Sequence, residues 1–293
     1  GLDGVVSLHA GGALFCARRR DGSVACFGEG LPGLPLARAG SSHAAAVAAE
    51  PATGAVELAI GVGHACWLLG DGSVRCVGAN EVGQVGVLPR RTVIGAVPGV
   101  TGARWVSAWG PYSCAGGAAG AWCWGAPVFD LSREAPRALA LPAVDRAAAV
   151  WMAGTHACVL GPDGARECFR APLEAPRSVG RVEGVRAIAG PCALLEDGNV
   201  RCGLDPAALA ELPGGPFGVV AARAEWGGAE VCAVHAGGEA MTCGRVELPA
   251  DGGARLGSVR TAPVERPSEL ALGVTPCGRR EGAVTCRSSR GVG

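Results

Sequence analysis

The chain of 293 residues contains no lysine; all 26 basic side chains are arginine, and 26 acidic side chains balance them to a formal net charge of zero. That balance argues against a nucleic-acid binder, which needs a basic face to displace counterions. It argues equally against a polybasic clamp for anionic membranes. Aromatic side chains are scarce, at 4% of residues, although 49% of the chain is hydrophobic, so a core has to be built from Ala, Val, Leu and Gly. No window reaches the ~18 unbroken apolar residues of a membrane-spanning helix. The most apolar stretch, 44–60, is interrupted by Glu50, Pro51 and Glu57. The chain starts at Gly1 with neither Met nor a charged-then-apolar leader, so any signal peptide is expected to be gone already.

Long helices are not expected, because 49 glycines and 20 prolines interrupt almost every window of helical length. The composition predicts an all-β protein with many turns, and an all-β fold can use this much chain as one domain.

Fourteen cysteines fall into seven pairs: Cys16/Cys26, Cys66/Cys76, Cys114/Cys123, Cys158/Cys168, Cys192/Cys202, Cys232/Cys243 and Cys277/Cys286. Their separations are 10, 10, 9, 10, 10, 11 and 9 residues. Seven units of about 42 residues lie in the range of propeller blades and solenoid turns. In four units the midpoint of the pair is Asp-Gly: Asp21-Gly22, Asp71-Gly72, Asp163-Gly164 and Asp197-Gly198. This is a β-hairpin loop signature. With a three-residue loop such as Arg20-Asp21-Gly22, residues 19 and 23 close the hairpin, and 16 faces 26 at a non-hydrogen-bonded site with Cα atoms ~4.5 Å apart. That is within disulfide reach. A two-residue turn at Glu281-Gly282 and a four-residue loop from Ala236 to Glu239 give the same register in the last two units. The turn Ala118-Ala119 gives it in the third with poor turn chemistry. Zinc ligation usually places Cys two to four residues apart, and a Cys-His nucleophile does not recur seven times. The reading is seven structural disulfides formed in an oxidising compartment. Each bridge closes about ten residues, worth roughly 2–3 kcal/mol in the chain-entropy model.

The units share a text. The second reads GHACWLLGDGSVRCVGANEVGQVG over 63–86, and the first LFCARRRDGSVACFGEG over 14–30. The pattern G-x-x-H-x-C-x-L-x-x-D-G-x-V-x-C-x-G-x-N-x-x-G-Q-x-G resembles the regulator-of-chromosome-condensation repeat, in a cysteine-paired version similar to bacterial exported members. The second unit matches it at Gly61, His64, Cys66, Leu68, Asp71, Gly72, Val74, Cys76, Gly78, Asn80, Gly83, Gln84 and Gly86. The first, fourth and fifth units match around the hairpin; the third, sixth and seventh keep the paired Cys and little else. The resemblance implies a seven-bladed β-propeller with four-stranded blades and hairpins near 14–28, 64–78, 112–125, 156–170, 190–204, 230–245 and 275–288. The 15 residues before Cys16 and the 7 after Cys286 together nearly match the shortest gap between units, 23 residues. Both termini are therefore expected to share the closing blade, with residues 1–8 beside the C-terminal hairpin, leaving no open edge.

No Walker loop, nucleophile elbow, metalloprotease helix or dinucleotide fingerprint is present, so neither catalytic residues nor cofactor or metal ligands are assigned. His64 and His156 precede the first Cys of their pairs by two and are expected to be buried, each bonded to a neighbouring blade's backbone. His9, His43 and His235 fall outside the repeat position and receive no role. The repeated Asp residues are explained by turn geometry. Trp124 is expected to pack between blades, and Trp67, Trp151 and Trp226 in the core. Trp105, Trp109, Tyr112 and Trp122, four of the five aromatics in the third unit, are either filling for that blade or an aromatic anchor for a partner. The gaps 27–58 and 77–108 are expected to carry loops on one face, where binding usually resides.

These features predict an exported, disulfide-stapled propeller that binds a protein partner. Members of the family it resembles act mainly through protein contacts, among them a propeller-type inhibitor of secreted beta-lactamases. No contact residue of theirs can be matched here. Two alternatives stay open: a cell-surface domain without a discrete ligand, with 288–291 as a linker, and an enzyme using the central channel. The Arg-only, Ala- and Gly-rich usage points to a GC-rich bacterial genome.

Overall fold

The computed structural model describes residues 3–28, 47–48, 52–87, 95–117, 120–125, 137–139, 149–153, 156–161, 165–170, 177–203, 205–225, 228–249, 253–273 and 276–286. Their strands form seven antiparallel sheets, each an up-and-down meander in chain order. The first sheet holds Val5–Gly11, Leu14–Arg19, Val24–Gly28 and Val47–Ala48. The second holds Ala55–Ile60, His64–Leu69, Val74–Gly78 and Gly95–Ala96. The third holds Trp105–Trp109, Tyr112–Gly117, Gly120–Gly125 and Arg137–Leu139. The fourth holds Ala149–Ala153, His156–Leu160, Ala165–Arg170 and Arg177–Arg181. The fifth holds Val185–Ala189, Cys192–Leu195, Val200–Cys202 and Ala210–Glu211. The sixth holds Phe217–Glu225, Gly228–His235, Ala240–Glu247 and Arg255–Pro263. The seventh has three described strands, Glu269–Leu272, Pro276–Arg280 and Ala283–Cys286.

The turns explain the hairpins. Arg19 N–H donates to the Ser23 carbonyl at 2.8 Å, Leu69 N–H to Ser73 at 2.9 Å and Leu195 N–H to Asn199 at 2.9 Å, so each Asp-Gly loop closes where a three-residue loop must. Gly22, Gly72 and Gly198 take φ of 79°, 80° and 83°, the left-handed conformation that favours glycine. The Asp side chain fixes the loop from inside: Asp21 Oδ1 accepts from Ser23 N–H at 2.9 Å and from its hydroxyl at 2.7 Å. Asp71 does the same for Ser73. In the seventh sheet Glu281 and Gly282 both have positive φ, 52° and 84°, as a tight two-residue hairpin turn demands. The turns Ala118-Ala119 and Asp163-Gly164 lie outside the described residues.

This common register brings the cysteines together. Six disulfides are described, joining Cys16–Cys26, Cys66–Cys76, Cys114–Cys123, Cys192–Cys202, Cys232–Cys243 and Cys277–Cys286. Their Cα atoms stand 4.0–4.1 Å apart, closer than the ~4.5 Å expected for this kind of rung. Cys158 is disulfide-bonded as well, and the ladder sets Cys168 opposite it.

The core lies between neighbouring sheets, and the disulfides belong to it. Leu14, Cys16, Val24 and Cys26 of the first sheet pack on Leu58, Ile60, Trp67 and Val77 of the second. Cys232, Val234 and Met241 of the sixth pack on Leu270 and Leu272 of the seventh. Val5, Leu8 and Phe15 of the first pack on Ala271 and Cys277 of the seventh.

One expectation needs correction. Val5–Gly11 pairs with Leu14–Arg19 and so opens the first sheet; it does not add a strand to the last one. It lies against the seventh sheet through three bonds. Val5 N–H donates to the Gly282 carbonyl (3.3 Å), Leu8 N–H to Glu269 Oε1 (3.1 Å) and Arg279 Nη1 to the Val5 carbonyl (3.4 Å).

Candidate functional site: the cavity between the first strands

The first strands of the first, second, third, fifth and sixth sheets converge on a cavity of about 340 Å³. Small residues let them approach. A Cβ on Gly11 would lie 2.5 Å from the Ile60 carbonyl oxygen, and one on Gly190 would lie 2.3 Å from the six-membered ring of Trp109. Gly190 therefore seats the indole of Trp109, which remains partly exposed on the cavity wall.

The polar groups of the wall come one from each of several sheets: His9, Glu57, Ser107 and Arg223. Glu57 Oε2 accepts from Val106 N–H of the next sheet at 3.2 Å. Burial raises its carboxyl to about 7 against the opposing pull of that hydrogen bond and of Arg18. His9 has no hydrogen-bond partner among the described residues. Burial lowers its pKa to about 4, with Glu269 opposing and Arg18 assisting, so it is a neutral imidazole at neutral pH. Arg223 Nη2 meets Glu230 Oε2 at 2.6 Å, and Glu230 Oε1 also takes Arg260 Nη2 at 2.7 Å. One carboxylate thus serves two guanidiniums.

Sequence reading missed His9, Glu57 and Arg223. A signal for one of them was there: Glu57-Leu58-Ala59-Ile60-Gly61 recurs as Glu269-Leu270-Ala271-Leu272-Gly273. Both glutamates reach the inner amide of an adjoining sheet, Glu57 that of Val106 and Glu269 that of Leu8.

The four aromatics singled out by sequence do not form one patch. Trp109 lines the cavity. Trp105 is 4% exposed and Tyr112 is fully buried, so neither offers a surface to a partner, and the anchor reading is corrected for both. Burial also pushes the Tyr112 hydroxyl well above its ordinary pKa. Trp122 lies on the third strand of its sheet, half-buried against the core between the second and third sheets. Trp67 and Trp124 are buried as expected. Trp226 and His43 lie outside the described residues, as do the side chains of Trp151 and His156.

His64 is buried, but its neighbour is a side chain where a backbone group was expected. Nε2 sits 2.7 Å from Ser113 Oγ of the third sheet, and Nδ1 lies 3.4 Å from the Val62 carbonyl of its own chain segment. With Nδ1–H donating to Val62, Nε2 accepts from the serine hydroxyl. Burial lowers this imidazole to about 4, which keeps it neutral. Among the described residues no group of three or more His, Cys, Asp or Glu side chains could hold a metal ion. No described helix is long and apolar enough to cross a membrane.

Successive antiparallel meanders packed on one another, with the first strands of five of them around a cavity, are the construction of a β-propeller. The fold is similar to that of β-propellers of the regulator-of-chromosome-condensation type and of other propellers. Yeast RCC1 (Prp20) in its complex with Kap60 matches with a TM-score of 0.61 at 16% identity, covering 82% of this chain and 70% of that one. Prp20p from Saccharomyces cerevisiae, studied for its binding to Gsp1p and histones, matches at 0.59 with 17% identity, covering 82% and 72%. The β-propeller domain of Myceliophteria thermophila Cps50 (Swd1) matches at 0.52 with 12% identity, covering 97% and 96%. No protein-family model matches the chain, and no curated protein matches it in sequence.

Proposed function

We propose that the protein is an exported, seven-bladed propeller that binds a protein partner, with its ring closed where the first and last sheets meet. The observation that carries this reading is the staple itself. The same hairpin rung is bridged in six described sheets, so a scaffold poor in aromatics is made rigid under oxidising conditions while its connecting segments vary in length. The core shared by Val5, Leu8, Phe15, Ala271 and Cys277 supports ring closure. Structural relatives point the same way, since Prp20 is seen bound to Kap60. A binding role is preferred to a catalytic one because the cavity's His9 and Glu57 are shifted mainly by burial, and no hydrogen bond between described side chains orients either of them as an acid–base pair requires.

Affinity capture from envelope and secreted fractions of a GC-rich bacterium, with the oxidised protein as bait and a reduced, alkylated control, tests this reading. A protein enriched only by the oxidised bait is expected. Enrichment of nothing, or equal enrichment by both baits, would leave the structural-domain alternative as the better account.

A further inference from the structure

The geometry points to a second, independent capacity: the cavity is a binding site for a neutral polyhydroxylated ligand of monosaccharide size. Three features of the wall specify that class.

The first is a platform. Trp109 packs its six-membered ring against Gly190, and the residue is partly exposed on the cavity wall. An indole face carries partial negative charge and attracts weakly positive C–H groups, which a pyranose presents on one face. The second is the distribution of hydrogen-bonding groups. His9 offers one donor and one acceptor with no hydrogen-bond partner among the described residues, and Glu57, on the same wall, commits one of its two oxygens to Val106 N–H. Ligand hydroxyls both donate and accept, so a ring of them can satisfy this mixed set. The third is charge. Arg223 is already engaged by Glu230, which it shares with Arg260, and burial disfavours the charged forms of both His9 and Glu57. An ionic ligand would lose its hydration beside two groups whose own charged forms burial disfavours, whereas hydroxyls need no counter-charge. The size agrees: about 340 Å³ is at the small end of the ~300–1,000 Å³ range of ligand pockets. Gly11, Gly61 and Gly110 border the cavity without side chains, so an entering ligand meets bare backbone there.

Saturation-transfer NMR and titration calorimetry on the oxidised full chain test this. The probes are glucose, galactose, mannose and N-acetylglucosamine, with glucuronate and glucosamine as charged comparators. At least one neutral sugar is expected to bind saturably below about 100 mM. Ala222→Leu, which enlarges a residue of the cavity wall, and His9→Ala, which removes a hydrogen-bonding group, are each expected to weaken it about tenfold or more. Trp109→Ala is expected to abolish the saturation transfer. Circular dichroism and partner capture report whether each variant is folded. The proposal is overturned if no neutral sugar binds, if only the charged sugars bind, or if folded Ala222→Leu and His9→Ala both bind as the parent does. None of these outcomes bears on protein binding, which is read by capture.

Discussion

The second and seventh sheets carry the same staple in different surroundings. Cys66–Cys76 and Cys277–Cys286 bridge the same rung with Cα separations of 4.1 and 4.0 Å. In the second sheet a fourth strand, Gly95–Ala96, pairs with Arg75 and Cys76, and the bridge packs into the core toward the third sheet with Val97, Val106 and Trp124, leaving Cys66 and Cys76 at 0% and 1% exposure. In the seventh, Ala283–Cys286 pairs with Pro276–Arg280 but no described strand pairs with its other edge, and Cys286 is exposed although Cys277 is buried. The hairpin is therefore set locally, by turn and register. Its burial is set by what lies beyond it, and the two are separable.

The largest effect that sharpens this contrast is expected from Trp67→Ala. Trp67 is 2% exposed between the first and second sheets, and truncation should cost about 3–5 kcal/mol of unfolding free energy in urea. Val284→Ala, on the half-covered edge of the seventh sheet, should cost less than about 1 kcal/mol. Similar losses at the two positions would mean that the seventh sheet is covered in solution.

Removing the bridges gives the next largest difference. Replacing Cys66 and Cys76 together by Ala should cost about 2–5 kcal/mol, and replacing Cys277 and Cys286 should fall at or below the low end of that range. Both loops are about ten residues, so chain entropy alone predicts equal losses; equality would show that burial contributes nothing. The same contrast has a kinetic form. Under limiting dithiothreitol at neutral pH, with alkylation and peptide mass mapping, the Cys277–Cys286 bridge should be opened first, because a thiolate must reach a sulfur. Labelling of Cys66 before Cys286 would contradict the assigned exposures.

Why some of this was legible in the sequence and some was not follows from the same separation. Asp21-Gly22, Asp71-Gly72 and Asp197-Gly198 fix their own loops through contacts two residues long, so the hairpins and the cysteine register could be read directly. The cavity could not, because it is assembled from five strands that are far apart in the chain. Trp105, Trp109 and Tyr112 show the difficulty at close range. Three aromatics within eight residues look like a patch, yet strand alternation and the neighbouring sheets bury two and leave one on the wall. Likewise the role of Val5–Gly11 depended on whether it met its own sheet or the last one. The chain's gap lengths are compatible with either, and pairing with Leu14–Arg19 decided it.

The smallest expected effect compares Glu57 with Glu269, which hold equivalent places in the repeated Glu-Leu-Ala text. Glu269 has a cation, Arg279 Nε at 2.6 Å, in addition to the Leu8 amide. Glu57 has the Val106 amide and the more distant Arg18, and burial raises it from 4.5 to about 7. Between those values the folded protein binds more protons at this site than the unfolded chain does. The contribution of Glu57 to stability is therefore most favourable below about pH 4.5 and is lost as the pH rises through 7. Glu57→Gln keeps an oxygen for Val106 N–H and removes the charge. Relative to the parent it should gain on the order of 1–3 kcal/mol at pH 8 and little at pH 4.5. Glu269→Gln, which abandons Arg279, should show no such gain at pH 8. Taking each variant minus parent at matched pH cancels the titration of His9 and His64, which runs in the opposite sense below pH 6.5. A pH-independent difference for Glu57→Gln would place its carboxylate in contact with solvent or a cation, and would remove the distinction between the two glutamates.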